Sequence, residues 1–295
     1  MPSLTLDLLT FDPGLTVSGP EALAEVVMTQ VEDSWNSGAD LVVLPEFTWM
    51  ALEPLIAAGA EKPLQRIAET FWNQLLPGIQ KRLSQLGKAV VLGTAPAMEN
   101  DGSLRNRSPI LADGALLHQD KLHLTPWEQA FTPGDTLHIW NFGGFRIAVI
   151  ICLDIEIPEL ASRLRDSAVD LILCPSATET ILGTERVNRC ASARAVELGC
   201  YVGVSHLTGT AKSELIDVNV GRTAFYRPSG SAFKNATRVE ETDIFESGSH
   251  RLRVTLDRRA LDVMRRMIAE TNPASLGKKN AGINRPIHIE SAPHP

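Results

Sequence analysis

Three residues that could take part in one reaction each follow a strand-like run of the sequence. Cys152 comes directly after the apolar run 147–151, and Glu46 and Lys121 follow shorter strand-like segments of their own. An apolar, β-branched run of this kind is typical of a buried strand, and the acidic residues after Cys152 indicate that the chain leaves the core there. Because a rigid strand end can hold a reactive side chain in place, the three residues are candidates for one shared site.

A thiol, a carboxylate and an ammonium group can together form and stabilise a covalent intermediate. A thiolate is a good nucleophile, but a free thiol is mostly protonated at neutral pH. A nearby carboxylate can take its proton, and an ammonium group favours the anions formed on sulfur and oxygen. Each residue also has an ordinary explanation, since Cys152 could fill the core and Glu46 and Lys121 could be solvated charges.

The elements that must position these residues alternate between strand-like and helix-like segments. Strands are predicted at 4–9, 41–44, 89–93, 108–112, 115–118, 137–142, 145–151, 171–175, 200–205 and 250–256, and helices at 20–37, 63–86, 158–167, 186–198 and 258–268. The helix at 63–86 is expected to break near Pro77. One hairpin is expected to turn at residues 113–114, and a second is expected to pair 222–226 with 231–234. This alternation predicts the α/β class, with helices covering sheets.

One domain accounts for most of the chain. No internal repeat, low-complexity tract or inter-domain linker is visible, so residues 1–270 are expected to fold as a single unit. Residues 271–295 are rich in Pro, Gly and Lys and are expected to form a C-terminal arm or tail. The motifs G-x-G-x-x-G and G-x-x-x-x-G-K-[ST] are absent, which argues against the usual nucleotide-binding units.

Composition narrows the function classes further. The chain has 295 residues, of which 44% are hydrophobic and 21% charged, as is ordinary for a soluble globular protein. A net charge of −7 argues against nucleic-acid and anionic-membrane partners. No secretory signal and no apolar run near the roughly 18 residues of a membrane span is present. The four cysteines have no C-x-x-C spacing, which predicts a reduced, cytoplasmic protein. The seven histidines are dispersed, so no metal or cofactor is expected.

Several short motifs occur in one order along the chain. They are L-P-E-F at 44–47, K-L-H-L-T-P-W-E at 121–128, F-T-P-G-D at 131–135, C-L-D-I-E-I-P-E-L at 152–160, P-S-A at 175–177 and A-R-A-V-E at 193–197. Through them the chain resembles the nitrilase superfamily of carbon-nitrogen hydrolases, which use a Glu-Lys-Cys triad, from its first strand to about residue 265. The resemblance implies a single-domain α-β-β-α sandwich and a homodimer or larger homo-oligomer. The arm after residue 271 would cross that interface.

The resemblance also implies roles for individual residues. Cys152 would be the nucleophile, Glu46 the general base and Lys121 the cation that stabilises the tetrahedral intermediate. Glu128 matches a second glutamate that family members place near the triad. The backbone N–H of Leu153 could complete the oxyanion site, and water activated by Glu46 would then hydrolyse the thioester.

Two departures from the family pattern concern substrate choice. Leu153 stands where many superfamily amidases have an aromatic residue, and Glu156 stands where many have an arginine. Through the motif C-x-D-I-E-x-P-E, the chain most resembles an uncharacterised amidase-like branch of the superfamily. Glu156 is more often a structural carboxylate, but it could face the pocket and select a cationic substrate. Thr178 and His206 are further candidate substrate contacts, although a structural role is favoured for the histidine.

The predicted function is hydrolysis of a non-peptide C–N bond, of amide or carbamoyl type, in a small molecule through a cysteine thioester. Nitrile hydrolysis and transfer of the acyl group to an amine are alternatives that use the same triad. A non-catalytic binding protein is a remote alternative, because such a protein has no physical need for Glu, Lys and Cys together. A Ser-His-Asp hydrolase is disfavoured because G-x-S-x-G is absent.

Overall fold

The computed structural model describes residues 3–213 and 215–269, so the arm predicted at 271–295 lies outside the described residues. Its strands are β1 Ser3–Leu9, β2 Leu41–Leu44, β3 Ala89–Leu92, β4 Ala95–Met98, β5 Leu104–Ala112, β6 Ala115–Asp120, β7 Ile139–Phe142, β8 Phe145–Val149, β9 Leu171–Ser176, β10 Tyr201–His206, β11 Gly209–Thr210, β12 Val218–Asn219, β13 Ala224–Tyr226, β14 Val239–Glu241 and β15 Arg251–Asp257. The α-helices are α1 Pro20–Asn36, α2 Pro63–Glu69, α3 Leu76–Leu83, α4 Pro158–Leu164, α5 Ile181–Leu198 and α6 Arg258–Arg266.

Most of these strands form two mixed sheets. The first has the order β15-β1-β2-β3-β5-β4, and β6 also pairs with β5. The second has the order β14-β13-β10-β9-β8-β7. Strands β1, β2 and β3 run parallel in the first sheet, and β8, β9 and β10 run parallel in the second. The ends of these parallel strands supply several of the candidate residues.

The sheets pack face to face, with helices on both outer sides. In β2, Leu41 and Val43 belong to the core that includes the second sheet, whereas the alternate residues Val42 and Leu44 belong to the core under α1, α2 and α3. A Cβ atom on Gly203 would lie 2.9 Å from Leu8 Cδ2, so the absence of a side chain there lets the sheets approach closely. The predicted α-β-β-α sandwich of the α/β class is confirmed.

The two predicted hairpins had different outcomes. The turn at residues 113–114 joins β5 and β6 as expected, with φ of 49° at Asp113 and 83° at Gly114. The second prediction is wrong, because β13 pairs with β14 instead. Residues Ser231–Phe233 form a 3₁₀ turn whose Phe233 ring is buried edge-on against Tyr201 at 5.7 Å. Anchoring that aromatic ring in the core requires a longer connection than a tight hairpin.

Other elements also differ from the predictions, and three of the differences have a clear local cause. The helical region after Pro63 divides into α2, a π-helical turn at Thr70–Leu75 and α3, with Pro77 in the first turn of α3. Helix α5 begins at Ile181, five residues earlier than predicted, because Thr180 Oγ1 caps it by accepting a hydrogen bond from Gly183 N at 3.1 Å. Strand β4 was not predicted, and its proline is tolerated because the strand lies at the sheet edge.

Candidate active site

The predicted reactive residues lie just beyond the ends of three strands. Glu46 follows β2 after one proline, Lys121 follows β6 directly, and Cys152 follows β8 after two isoleucines. Lys121 Nζ lies 2.8 Å from Glu46 Oε1. Cys152 Sγ lies 3.5 Å from the carbonyl oxygen of Ala177, and the N–H of Ala177 donates to Glu46 Oε2 at 3.2 Å. The fold therefore brings together three residues that are spread over more than 100 positions of the sequence.

The backbone around Glu46 is fixed by two residues that directly follow β3. Phe47 has a left-handed φ of 58°, and its N–H donates to Thr94 Oγ1 at 2.8 Å. Gly93 has a φ of 68°, and a Cβ atom there would lie 2.2 Å from the carbonyl oxygen of Pro45. Only glycine fits this close approach without a shift of the backbone. The loop that carries Glu46 is therefore held on both sides.

Two buried glutamates share the ammonium group of Lys121. Lys121 Nζ donates to Glu128 Oε2 at 2.7 Å as well as to Glu46, and all three side chains are at most 2% exposed. Glu128 Oε2 also accepts from the Thr125 N–H at 2.9 Å. With both carboxylates ionised, this cluster carries a net charge of −1 in a site shielded from water. Such a charge is costly to bury and is retained only where something depends on it.

Cys152 occupies a strained turn. Its φ is 46°, in the left-handed region that non-glycine residues rarely adopt, and it begins the 3₁₀ helix Cys152–Glu156. The first N–H groups of a helix have no partner within the helix. The N–H of Leu153 therefore lies beside the thiol at a helix start, where it can donate to an oxyanion.

Burial and charge shift the pKa values of these groups in different directions. Burial raises the pKa of Glu46 to about 7, although the nearby ammonium group of Lys121 opposes this shift. Burial and the Glu46 carboxylate raise the pKa of the Cys152 thiol well above its ordinary value. Burial alone would lower the pKa of Lys121, but the surrounding anionic groups raise it. At neutral pH the site therefore holds a neutral thiol, a charged lysine and a carboxyl group able to exchange a proton.

A buried aspartate that the sequence analysis did not single out joins two of these segments. Asp154 accepts from the N–H of Leu122 at 3.1 Å and from the N–H of His123 at 2.7 Å. It also lies 2.8 Å from His123 Nδ1. Because Asp154 is in the turn that carries Cys152, and residues 122 and 123 directly follow Lys121, these contacts fix the nucleophile's turn against the lysine's loop.

Asn106 in β5 is a second residue that the sequence analysis did not single out. Its side-chain Nδ2 donates to Glu46 Oε1 at 2.9 Å and to Glu128 Oε1 at 3.0 Å. The available signal was the pattern of β5, in which Leu104, Asn106 and Ser108 alternate on a buried face. Two polar side chains at buried positions of a strand indicate a polar network beneath it.

A cavity of about 240 Å³ opens above the cluster. It is lined by all four predicted catalytic residues and by three of the four predicted substrate contacts, namely Glu46, Lys121, Glu128, Cys152, Leu153, Glu156 and Thr178. Its outer wall includes Trp127, whose side chain is exposed. The carboxylate of Glu156 accepts from Arg186 Nε at 2.8 Å, and the Arg186 side chain is 62% exposed. Glu156 thus faces the cavity but is already paired with a solvent-exposed cation.

The other two predicted substrate contacts are occupied with structural bonds. The Thr178 hydroxyl donates to the carbonyl oxygen of Val220 at 2.8 Å, so Thr178 contributes cavity wall and not a free hydroxyl. His206 does not line the cavity. Its Nδ1 lies 2.8 Å from the carbonyl oxygen of Arg222, and burial lowers the pKa of the ring to about 4. The structure therefore places His206 in the core as a neutral histidine, away from the cavity.

Two general features of the described residues bear on function. Among residues 3–213 and 215–269, no group of three or more His, Cys, Asp or Glu side chains is arranged to hold a metal ion. No helix in the described part of the chain is long and apolar enough to cross a membrane.

Sequence comparison identifies the class of protein. The model of the family described as carbon-nitrogen hydrolase matches residues 18–253, so the chain belongs to that family. This membership confirms the predicted nitrilase superfamily and the predicted enzyme class, a carbon-nitrogen hydrolase.

Two curated relatives and one solved structure illustrate the similarity. The chain is 29% identical over 229 residues to the probable hydrolase YhcX of Bacillus subtilis, covering 76% of this chain and 44% of that protein. It is 29% identical over 210 residues to an (R)-stereoselective amidase of a Pseudomonas species, covering 70% of this chain and 72% of the relative. A CN-hydrolase superfamily protein from Xanthomonas campestris superposes with a TM-score of 0.70 at 18% identity, covering 99% of this chain and 100% of that one. The match thus spans less than half the length of the first relative.

Proposed function

We propose that this protein hydrolyses the amide C–N bond of a small molecule through a thioester formed on Cys152. The observation that carries this proposal is the buried cluster beside the thiol, in which Lys121 Nζ lies 2.8 Å from Glu46 and 2.7 Å from Glu128. Family membership and the named amidase among the relatives support the same reaction class. A buried cluster with one uncompensated negative charge is expensive for a purely structural purpose.

In the acylation half of the reaction, Cys152 Sγ attacks the carbonyl carbon of the amide. Glu46 takes the thiol proton as the S–C bond forms, because its pKa of about 7 suits a general base at neutral pH. The C=O π electrons move onto oxygen, and Lys121 Nζ with the Leu153 N–H stabilises that oxyanion. Collapse of the tetrahedral intermediate breaks the C–N bond, and the proton on Glu46 passes to the leaving nitrogen.

In the deacylation half, water replaces the amine that has left. Glu46, again ionised, takes a proton from water as its oxygen attacks the thioester carbonyl. The second tetrahedral intermediate expels Cys152 sulfur, which recovers the proton held by Glu46, and the carboxylic acid leaves. Glu128 contributes by holding Lys121 charged and in position throughout, since it accepts a hydrogen bond from Nζ.

The cavity favours a small substrate with a polar or cationic part. A volume of about 240 Å³ lies below the 300–1,000 Å³ that is typical of sites for drug-sized ligands. Glu156 and Arg186 form an ion pair on its wall. A cationic group on the substrate could replace the exposed Arg186 guanidinium as the partner of Glu156, which supports a role for Glu156 in substrate selection.

A screen for ammonia release over simple amides, carbamoyl amino acids and nitriles tests the proposal. We expect release from at least one amide, loss of release in Cys152→Ala and full activity in Cys190→Ala. Cys190 is a suitable matched control because it is a partly buried cysteine of α5 that does not line the cavity. Equal release by Cys152→Ala and the unaltered protein would refute the mechanism.

The same screen separates the alternatives. Release from nitriles and not from amides would identify a nitrilase, and diversion of product from the free acid when an amine is added would identify an acyltransferase. Absence of turnover combined with tight substrate binding would indicate a binding protein. We also propose that the protein is cytoplasmic and forms a homo-oligomer. Sedimentation of the full chain beside a form ending at residue 270 would test the oligomeric state and the role of the arm in it.

A further inference from the structure

Asn106 contacts each of the three charged residues of the cluster. Its backbone carbonyl accepts from the N–H of Lys121 at 2.9 Å. Its side-chain Nδ2 donates one hydrogen to Glu46 at 2.9 Å and the other to Glu128 at 3.0 Å. Asn106 is 1% exposed and does not line the cavity, so it can affect the chemistry only through these neighbours.

These bonds make the two oxygens of Glu46 unequal. Oε1 accepts from both Lys121 Nζ and Asn106 Nδ2, at 2.8 and 2.9 Å. Oε2 accepts a longer hydrogen bond, 3.2 Å, from the N–H of Ala177, the residue whose carbonyl oxygen lies 3.5 Å from Cys152 Sγ. An oxygen that already accepts two short, charge-stabilising hydrogen bonds is a poor place for a further proton. Oε2 is therefore the more basic oxygen, and it shares a contact to Ala177 with the thiol whose proton must be taken.

The arrangement has a cost that a structural role alone does not explain. An amide group between two carboxylates must present its NH₂ to both, and its own oxygen then faces away. Asn106 Oδ1 is buried without a hydrogen-bond partner among the described residues. An unsatisfied buried acceptor lowers stability, because it gives up its hydrogen bond to water without a replacement. At this position of β5, the side chain of Asn106 orients Glu46 and Glu128 while its own oxygen is left without a hydrogen bond.

We propose that Asn106 is a positioning residue that orients Glu46 and Glu128 about Lys121 and leaves Glu46 Oε2 as the oxygen that accepts the thiol proton. The inference rests on the proposed function, because it gives Glu46 the role of general base. Loss of the amide should withdraw a donor from the ionised form of Glu46 and make that carboxylate harder to ionise. A donor to Oε1 also helps to hold the other oxygen towards the thiol.

Alkylation of the cysteine thiol tests this inference without needing the natural substrate. The rate of iodoacetamide addition to Cys152, followed by mass spectrometry of the peptide that contains it, should rise with pH as Glu46 ionises. Asn106→Leu keeps the side-chain size and removes both donated hydrogens. Ser108→Ala is the matched control, because Ser108 lies two residues along the same buried face and its hydroxyl makes no hydrogen bond to the cluster.

We expect Asn106→Leu to move the acid limb of this alkylation profile upwards by about one pH unit, which is about a tenfold slower reaction at pH 6. Asn106→Ser, which retains one donor and serves if the leucine variant does not fold, should give a smaller shift in the same direction. Ser108→Ala should reproduce the profile of the unaltered protein. A purely structural role predicts lower urea midpoints without movement of the acid limb.

Failure of the Asn106 inference and failure of the proposed function would give different results. An unaltered protein that shows the acid limb but hydrolyses no amide would refute the function and leave the proton-transfer geometry supported. An acid limb that stays in place in Asn106→Leu and Asn106→Ser, or that is absent from the unaltered protein, would overturn the role of Asn106. Ammonia release measured on the same samples would show which of the two has failed.

Discussion

Two sites with buried carboxylates in this protein differ in the ratio of carboxylates to cations. At the candidate active site, Glu46 and Glu128 share the single ammonium group of Lys121, which is itself 1% exposed. Directly before β9 of the second sheet, Asp170 is completely buried but is paired with both Arg258 and Arg265, whose side chains are 21% and 23% exposed. The first group has an excess of buried negative charge, and the second has an excess of cations that reach towards solvent.

The structural group shows what a stability role requires. Asp170 also accepts from the Arg146 N–H at 2.7 Å, and its arginines fasten α6 to the second sheet. Asp7 follows the same design, since Arg253 donates to both of its carboxylate oxygens at 2.7 Å. In these cases the arginines satisfy the carboxylate and keep partial contact with water. Around Glu46 the positive charge is insufficient and the burial is complete, which is the combination that the proposed proton transfer requires.

The largest expected effect is on turnover when Glu46 is neutralised. Glu46→Gln should lower kcat/KM about 10³-fold, because the amide cannot accept the thiol proton. The same variant should lose turnover but gain free energy of unfolding at alkaline pH, because it removes a buried charge. The pKa of Glu46 is raised by burial to about 7, so its contribution to stability is complete below pH 4.5 and is lost as pH rises through about 7.

Urea unfolding at pH 5 and pH 8 measures that second effect. Relative to the unaltered protein, Glu46→Gln should gain about 2–3 kcal/mol between these pH values, since the raised pKa of about 7 lies about two pH units above pH 5 and each unit is worth about 1.4 kcal/mol. A constant difference at both pH values would contradict the account of the buried charge. Undiminished turnover would contradict the role of general base.

The structural aspartate should behave in the reverse manner. Asp170→Asn should lower the free energy of unfolding by about 3 kcal/mol, because it leaves two arginines without their shared carboxylate. At a temperature where the variant is folded, kcat/KM should stay within about twofold of the unaltered value. Glu185→Gln is the control, since its pair with Arg189 is solvent-exposed and should be worth less than about 1 kcal/mol. A large loss of turnover in Asp170→Asn would break the distinction between the two groups.

The pH profile of the unaltered enzyme should show the same contrast within one experiment. Because Glu46 must be ionised to act as a base and its pKa is raised by burial to about 7, kcat/KM should fall about tenfold per pH unit below that value. The far-ultraviolet circular dichroism should stay constant over the same range. A profile that is flat between pH 5 and pH 8 would show that no base with this pKa is used.

The smallest expected effect concerns the ion pair on the cavity wall. Glu156→Gln should reduce the preference for cationic over neutral amides about fivefold, which corresponds to an exposed charge interaction of about 1 kcal/mol. Arg186→Gln should increase that preference, because the carboxylate loses its competing partner. Ratios of kcat/KM for matched cationic and neutral amides measure both changes. Equal ratios in all three proteins would remove Glu156 from substrate selection.

Much of the fold could be predicted because its signals are local. The apolar strands around 41–44 and 147–151 and the turn at residues 113–114 are determined by neighbouring residue types. The 3₁₀ turn at Ser231–Phe233, which stands where a strand was predicted, could not be read from the sequence, since the position of Phe233 depends on its contact with Tyr201, which is distant in the sequence. Local patterns do not record which aromatic residues meet in the core.

The candidate site divides in the same way. Glu46, Lys121 and Cys152 could be found because each follows a strand inside a motif shared with the family. Asn106 could not be assigned, because its importance comes from two bonds to residues 60 and 22 positions away. Long-range hydrogen bonds of this kind become visible only when strands β2, β5 and the loop after β6 are placed together.

The central claim is that an acyl group is carried by the Cys152 sulfur during turnover. Rapid acid quenching of the enzyme with a hydrolysed amide, followed by intact-protein and peptide mass spectrometry, tests this directly. The account predicts a mass gain equal to the acyl group less one hydrogen, located at Cys152, present in Cys190→Ala and absent from Cys152→Ala. An acyl group on another residue, or unchanged turnover in Cys152→Ala, would contradict it.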